Sequence, residues 1–232
     1  MDGRERPSYG RRDMSASDPE DRPAKAPRIA PYPGLEIRAD EVVWSGRFPL
    51  QRVRFTYERF DGSRSAELTW ELWRRSGGVA MLPFDPWSDR VALIEQFRLP
   101  VHAAGLPPIH TECIAGLLEP GEAPEAAARR EAVEEGGIAP DLVAHIGQYM
   151  LLQGGCDELM QLYCGRARLP EPDAAGTHGL VHEGEDIRLL ILPAAEAFAL
   201  LDRNAIQNAT CALCLFWLRA NHARLRAEWT QA

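Results

Sequence analysis

The sequence predicts an α+β protein, on three observations. Segments that alternate apolar with polar residues succeed one another between residues 35 and 98. The first strong helical stretch begins only at Pro124, and two further helical stretches close the chain. A βαβ repeat would have placed a helix between successive strands instead. The 232 residues, 45% of them hydrophobic, suffice for one sizeable core with an accessory element.

Residues 1–28 mix seven basic with six acidic side chains and four prolines and offer almost nothing to bury. A segment of that composition cannot recover its ordering entropy, so a disordered tail is predicted. It lacks the apolar stretch of a secretory signal and is too acidic for a transit peptide. From residue 29 onwards the pattern is β-like, with strand patterns over 35–50, 51–60 and 66–75. Asp61-Gly62 marks the turn before the last of these. Beyond the Gly77-Gly78 break, strands are expected over 79–84 and 90–98, joined by the Asp85-Pro86-Trp87-Ser88-Asp89 turn, with one short strand over 111–115. Residues 124–135 (PEAAARREAVEE) form the first helix, opened by Pro124 and stopped by Gly136-Gly137. Strands over 145–152, 159–167 and 187–192 follow, then helices over 194–202 and 208–226.

Composition excludes several function classes. The 34 acidic against 26 basic residues give a net charge of −8, the wrong sign for a nucleic-acid binder. The longest strongly apolar run, 211–218, is far short of the ~20 residues of a membrane span. Cys113, Cys156, Cys164, Cys211 and Cys214 are odd in number and scattered, so no disulfide framework is expected and a reduced, cytoplasmic location fits. Cys211-x-x-Cys214 lies in an apolar helix with no second such pair and reads as core. His178 and His182 lack the glutamate and helix of a zinc-hydrolase motif.

The first helix carries Glu131, Glu134 and Glu135 at i, i+3 and i+4, so the three carboxylates project from one face. Like charges at these spacings repel by a few tenths of a kcal/mol per pair. Anions in a last helical turn cost a further ~0.3–1 kcal/mol each. A solvated face with Arg130 neutralising one acid is the bland explanation. A clustered trio is also what a hard divalent cation such as Mg²⁺ requires.

The surroundings decide between these. Gly116 is followed after five residues by Glu122, after seven more by Arg130-Glu131-Ala132, then by Glu134-Glu135 and, one residue on, by Gly137-Ile138. Seven fixed positions at frequencies of about 5–10% make a chance match on the order of 10⁻⁸ per window. The pattern resembles, at every position, the box of the Nudix hydrolases, which cleave nucleoside diphosphates linked to another moiety. The resemblance implies a mixed sheet sandwiched between helices. It extends over most of residues 50–232 and is similar to the bacterial ADP-ribose diphosphatase branch. LPFDP (82–86), LIEQFR (93–98), ECIAGLLEPGE (112–122), HGLVHEGEDIR (178–188) and the closing WLRANHARLRAEW (217–229) carry it.

The resemblance implies cleavage of ADP-ribose to AMP and ribose 5-phosphate with Mg²⁺, or Mn²⁺ in its place. It also implies a homodimer that exchanges its N-terminal β-domains, residues 29–75 having the right size for that antiparallel domain and residues 76–232 forming the hydrolase domain. By the same resemblance Glu131, Glu135 and the carbonyl of Ala115 would be direct metal ligands, Glu134 would either touch the metal or stand just behind the residues that do, Glu185 would complete another metal site, and Glu183 would be the catalytic base. Arg130 would orient the glutamates, Gly116 and Gly137 would serve tight turns, and Glu122 completes the box. Arg98 matches a phosphate-contacting arginine, Glu71 and the neighbouring Trp70 the adenine end, and Glu112 and Glu158 polar positions near the ribose units. Two departures touch specificity. Gln153 stands where many members carry proline, and Trp70 where the branch often has arginine. GDP-mannose and other NDP-sugars are therefore rival substrates. A non-hydrolytic ADP-ribose sensor is the rival of another class, and the complete box weighs against it.

Overall fold

The computed structural model describes residues 28–75, 77–180 and 184–231. Nearly all of the tail expected over 1–28, and the candidate base Glu183, lie outside them. The chain divides between Arg74 and Arg75 into two compact units.

The N-terminal unit is an antiparallel sheet of β1 (Leu35–Trp44), β2 (Leu50–Tyr57) and β3 (Leu68–Trp73), with β2 in the middle. The turn at Asp61-Gly62 is tied by the Asp61 carboxylate, which accepts from the Ser63 N–H at 2.9 Å, and Gly62 takes a φ of 79°. A side chain with a Cβ adopts that φ only at a cost. Gln51 is fully buried in the central strand and hydrogen-bonds Asp40 and Arg74.

The second unit is built on an eight-stranded mixed sheet. Its strands are β4 (Gly78–Asp85), β5 (Arg90–Phe97), β6 (Ile109–Glu112), β7 (Ile114–Leu117), β8 (Leu142–Met150), β9 (Leu159–Arg166), β10 (Thr177–His178) and β11 (Ile187–Pro193). The main path runs β10-β11-β5-β4-β9-β8; β6 adds to β5 and β7 to β4. The β4–β9 pair is parallel and the others are antiparallel.

Period-2 alternation in the two central strands sends side chains into two separate cores. Val79, Met81, Ala92 and Ile94 pack with Ala127, Ala128 and Ala132 of helix α2 (Pro124–Gly136). Ala80, Leu82, Phe84, Val91 and Leu93 pack with Ala197 and Leu201 of α3 (Ala194–Asp202) and Cys214, Leu215 and Leu218 of α4 (Ala209–Trp229). Both faces are thus covered, which is why β4 reads as a continuous apolar run and is buried along its whole length. Each fully buried side chain of Phe or Leu size contributes ~1.5–3 kcal/mol. Asn208 caps α4 by accepting from the Cys211 N–H at 2.9 Å.

The α+β class, the antiparallel sheet and the helix-flanked sheet all agree with the sequence expectation. The single strand expected over 111–115 is instead two, β6 and β7, on either side of Cys113. β6 pairs with β5 and β7 with β4, so the chain changes partner strand at that residue. The eighth strand begins at Leu142 rather than 145 and ends at Met150 rather than 152. A five-residue helix, Leu99–Ala103, was not expected; Pro100 in its first turn suits it, but it is too short for a periodic pattern. No helix among the described residues is long and apolar enough to cross a membrane. All five cysteines are free and buried.

Candidate active site

Helix α2 lays its alanines on the sheet, and that contact aims the three glutamates. Ala128 and Ala132 are fully buried, and a helix presents residues three and four apart on one side. Glu131 and Glu135 flank that buried stripe, and Glu134 lies at its outer margin. Glu135 is 2% exposed, and its carboxylate accepts from the Ala115 N–H of β7 at 2.9 Å. Gly116, next along β7, faces Glu131 so closely that a Cβ there would collide with the carboxylate. Gly137 ends the helix at φ 60°, its N–H on the Val133 carbonyl, while the Ile138 N–H takes the Ala132 carbonyl. The His178 ring packs against this cap and bonds the Ala175 carbonyl at 2.8 Å.

Arg130 gathers the acids. Its guanidinium donates to Glu122 at 3.0 and 3.1 Å, to Glu131 at 2.8 Å, to Glu134 at 2.7 Å and to the Leu117 carbonyl at 3.3 Å. Glu122 in turn accepts from the Glu119 N–H at 3.1 Å, which closes the loop between β7 and α2. One cation thereby ties the loop to the helix and offsets part of the repulsion within the trio.

The electrostatics remain strained. Burial pushes the Glu135 carboxyl up to about 8, and the charges of Glu131 and Glu185 push the same way, against the Ala115 N–H and Arg98. Burial also raises the Glu131 carboxyl, with Arg130 opposing and Glu134 and Glu185 adding to the rise. The hydrogen bond to Arg130 holds Glu122 below the usual carboxylate range. The bonds of Arg130 to Glu122, Glu131 and Glu134 outweigh its burial and raise its own pKa.

At the end of β5 a second cluster faces the same side of the sheet. Arg98 holds buried Glu112 at both oxygens, Nε at 3.1 and 3.3 Å and Nη2 at 2.8 Å. Burial works against the Arg98 charge, but attraction from Glu112, Glu135 and Glu185 prevails and raises its pKa. Glu185 accepts from the Leu180 N–H at 3.0 Å. The structure thus brings Ala115, Gly116, Glu122, Arg130, Glu131, Glu134, Glu135 and Gly137 together, with Arg98, Glu112 and Glu185 within electrostatic reach. Glu158 is engaged by Arg75 at 2.8 Å, and Gln153 lies in the turn between β8 and β9. Trp70 and Glu71 belong to the N-terminal unit; Trp70 is half exposed and meets Phe55 edge-on at 5.3 Å, and Glu71 lies opposite Arg52.

These residues fit a hard divalent cation. The donors are carboxylate and carbonyl oxygens, and because burial raises the Glu131 and Glu135 carboxyls, a cation held there would favour their charged forms. No three such groups already converge as a cation cluster among the described residues. Glu131 and Glu134 are instead turned onto Arg130, and Glu135 onto the Ala115 N–H. Sequence reasoning treated Arg98 and Glu112 as separate contacts, although they form one ion pair across neighbouring strands. It also passed over Gln96, which lies in β5 on the α2 side and is 7% exposed. Its even-numbered place in register with Ile94 was the available signal.

The NUDIX domain family matches residues 74–210. The chain is 35% identical over 195 residues to the ADP-ribose pyrophosphatase of Escherichia coli strain K12, covering 84% of this chain and 92% of that protein. It is 33% identical over 203 residues to the ADP-ribose pyrophosphatase of Haemophilus influenzae, with 85% and 92% covered. A GDP-mannose pyrophosphatase of Enterobacter sp. strain 638 shares 29% identity over 186 residues, with 80% and 95% covered. A crystal structure described as an ADP compounds hydrolase superposes with a TM-score of 0.60 at 20% identity, covering 84% of this chain and 96% of that one, and shows the same fold.

Proposed function

The chain belongs to the Nudix family, and on that premise we propose that it hydrolyses the diphosphate bond of ADP-ribose, releasing AMP and ribose 5-phosphate. The observation that carries this reading is the set of α2 glutamates that Arg130 and Ala115 hold beside the Arg98–Glu112 pair. Two relatives at 33–35% identity, each matched over more than four-fifths of this chain, bear the name ADP-ribose pyrophosphatase.

Glu131, Glu134, Glu135, Glu185 and the Ala115 carbonyl would hold Mg²⁺, or Mn²⁺ as a substitute. Such a cation neutralises charge on the diphosphate oxygens and lowers the pKa of the attacking water. Arg98 binds a phosphate oxygen, and Glu183 removes the proton from the water as it attacks phosphorus. Arg130 keeps the glutamates aligned while the charge at the diphosphate changes. With a net charge of −8 the protein does not steer an anion to itself as a whole, so affinity rests on these local cations. In our reading residues 76–232 form the hydrolase domain. Residues 29–75 are exchanged in a homodimer and bring Trp70 and Glu71 to the adenine. The five free thiols fit work in the cytoplasm.

Trp70 and Gln153, together with the GDP-mannose pyrophosphatase relative, favour an NDP-sugar as the second reading. A panel of ADP-ribose, GDP-mannose, ADP-glucose and dinucleoside polyphosphates with Mg²⁺, products resolved by chromatography, tests both. The expected result is AMP from ADP-ribose with the highest kcat/KM. Faster turnover of GDP-mannose would transfer the function to that sugar nucleotide. Tight binding of ADP-ribose without cleavage would make the protein a sensor.

A further inference from the structure

Gln96 places a buried amide in β5. Its residue is 7% exposed, and among the described residues its side-chain nitrogen is sealed from water without a hydrogen-bond partner. An unmet buried polar group of this kind destabilises the fold, and an apolar residue of the same shape would avoid that cost. Gln96 has aliphatic company on its own row, since Ile187 stands directly opposite on β11 and is fully buried. Stability therefore does not account for a glutamine here.

Register shows what the amide lies beside. On β6, His110 stands opposite Gln96, and Glu112 opposite Ile94, one same-face row away. The Arg98 N–H bonds the Pro108 carbonyl at 2.8 Å, which sets Arg98 one row beyond Gln96 on the other side. The Arg98–Glu112 ion pair therefore runs across the row that holds Gln96 and His110. Arg98 takes both oxygens of Glu112. Register thus places Gln96 in the row between Arg98 and Glu112, with a side-chain N–H that has no hydrogen-bond partner among the described residues.

A surplus donor has a purpose if the first donor is needed elsewhere. Glu112 is 5% exposed, and a buried carboxylate stripped of its cation is costly to keep ionised. We propose that Gln96 is a positioning residue, which takes over the Glu112 carboxylate when Arg98 turns its guanidinium to a phosphate oxygen of the substrate. Gln96 touches no reacting atom; it lowers the cost at which Arg98 is released. The proposal rests on the function proposed above, with Arg98 as the phosphate contact.

The test is a double-mutant cycle of Gln96→Leu with Glu112→Gln, read on ADP-ribose kinetics and on ligand-free melting. Gln96→Leu should melt at or above the wild-type temperature, raise KM about tenfold and leave kcat within about twofold. In the Glu112→Gln background, where no charge waits for a donor, the same change should move KM less than about twofold. Additive effects on KM would overturn the proposal. So would a lowered melting temperature with KM unchanged, the mark of a purely structural amide. Gln96→Met, an unbranched isostere, repeats the measurement if the leucine variant does not fold. If the wild-type protein leaves ADP-ribose intact, the proposed function fails. The same cycle read by calorimetry on ADP binding then still decides the role of Gln96.

Discussion

Glu135 is a carboxylate that the fold buries at a cost, which makes its two faces of behaviour separable. Its folded pKa of about 8 lies above the ordinary glutamate value of 4.5, so between these values the native state keeps a proton that the unfolded chain releases. Its contribution to metal-free stability is therefore complete below about pH 4.5 and lost as pH rises through about 8. In EDTA the melting temperature should fall over that window, and Glu135→Gln should flatten the fall; equal slopes would show that another group sets it. With Mg²⁺ present the same substitution should lower kcat by at least ~10²-fold with folding intact, because a metal ligand acts on the transition state. Near-normal turnover at saturating Mg²⁺ would remove Glu135 from the site. Glu183→Gln should cost ~10²–10⁴-fold in kcat, the usual worth of a general base, and added Mg²⁺ should not restore it. Glu185→Gln should respond partly to Mg²⁺, as a ligand would; equal rescue of both would return the search for the base to α2. The trio on α2 was legible because helical spacing is local. The Arg98–Glu112 pair was not, because it depends on which residues of β5 and β6 stand opposite one another, and register is set by the whole sheet.

At the scale of elements, legibility followed the length of the periodic signal. Helix α3 was placed at both ends, and α2 to within a residue, since their breakers and helix formers are adjacent in sequence. The split of 111–115 into β6 and β7 was not visible, because four-residue strands carry two alternations at most and the break at Cys113 comes from a change of partner strand. Helix α4 makes the largest wall of its core, and its entry is fixed by one side chain, the Asn208 cap. Asn208→Ala should therefore lower stability by about 1 kcal/mol in urea denaturation, with kcat and KM unaltered. The residues it destabilises lie across the sheet from α2, on the other core, so a matching loss of activity would mean that the two cores are coupled.

The chain divides between Arg74 and Arg75 into two compact units, with alternating patterns before that point and a longer mixed stretch around the box after it. What no linear reading reaches is whether Trp70 and Glu71 serve the box of their own chain or that of a second copy. The proposed exchange of N-terminal units in a homodimer makes a sharp statement about that. A chain carrying Trp70→Ala keeps a working box but cannot supply the aromatic; a chain carrying Glu135→Gln keeps the aromatic but has no working box. In a two-fold dimer each surface is presented twice, so a mixed dimer of these chains holds one site damaged in both ways and one with every part native. Co-refolding equal amounts should give about half mixed dimers, and hence about a quarter of the wild-type kcat/KM for ADP-ribose, well above either variant alone. The excess should vanish when the two variants are refolded apart and then combined under conditions where subunits do not exchange. Activity no higher than the average of the two parents, with mixed dimers verified by mass, would place Trp70 on the box of its own chain.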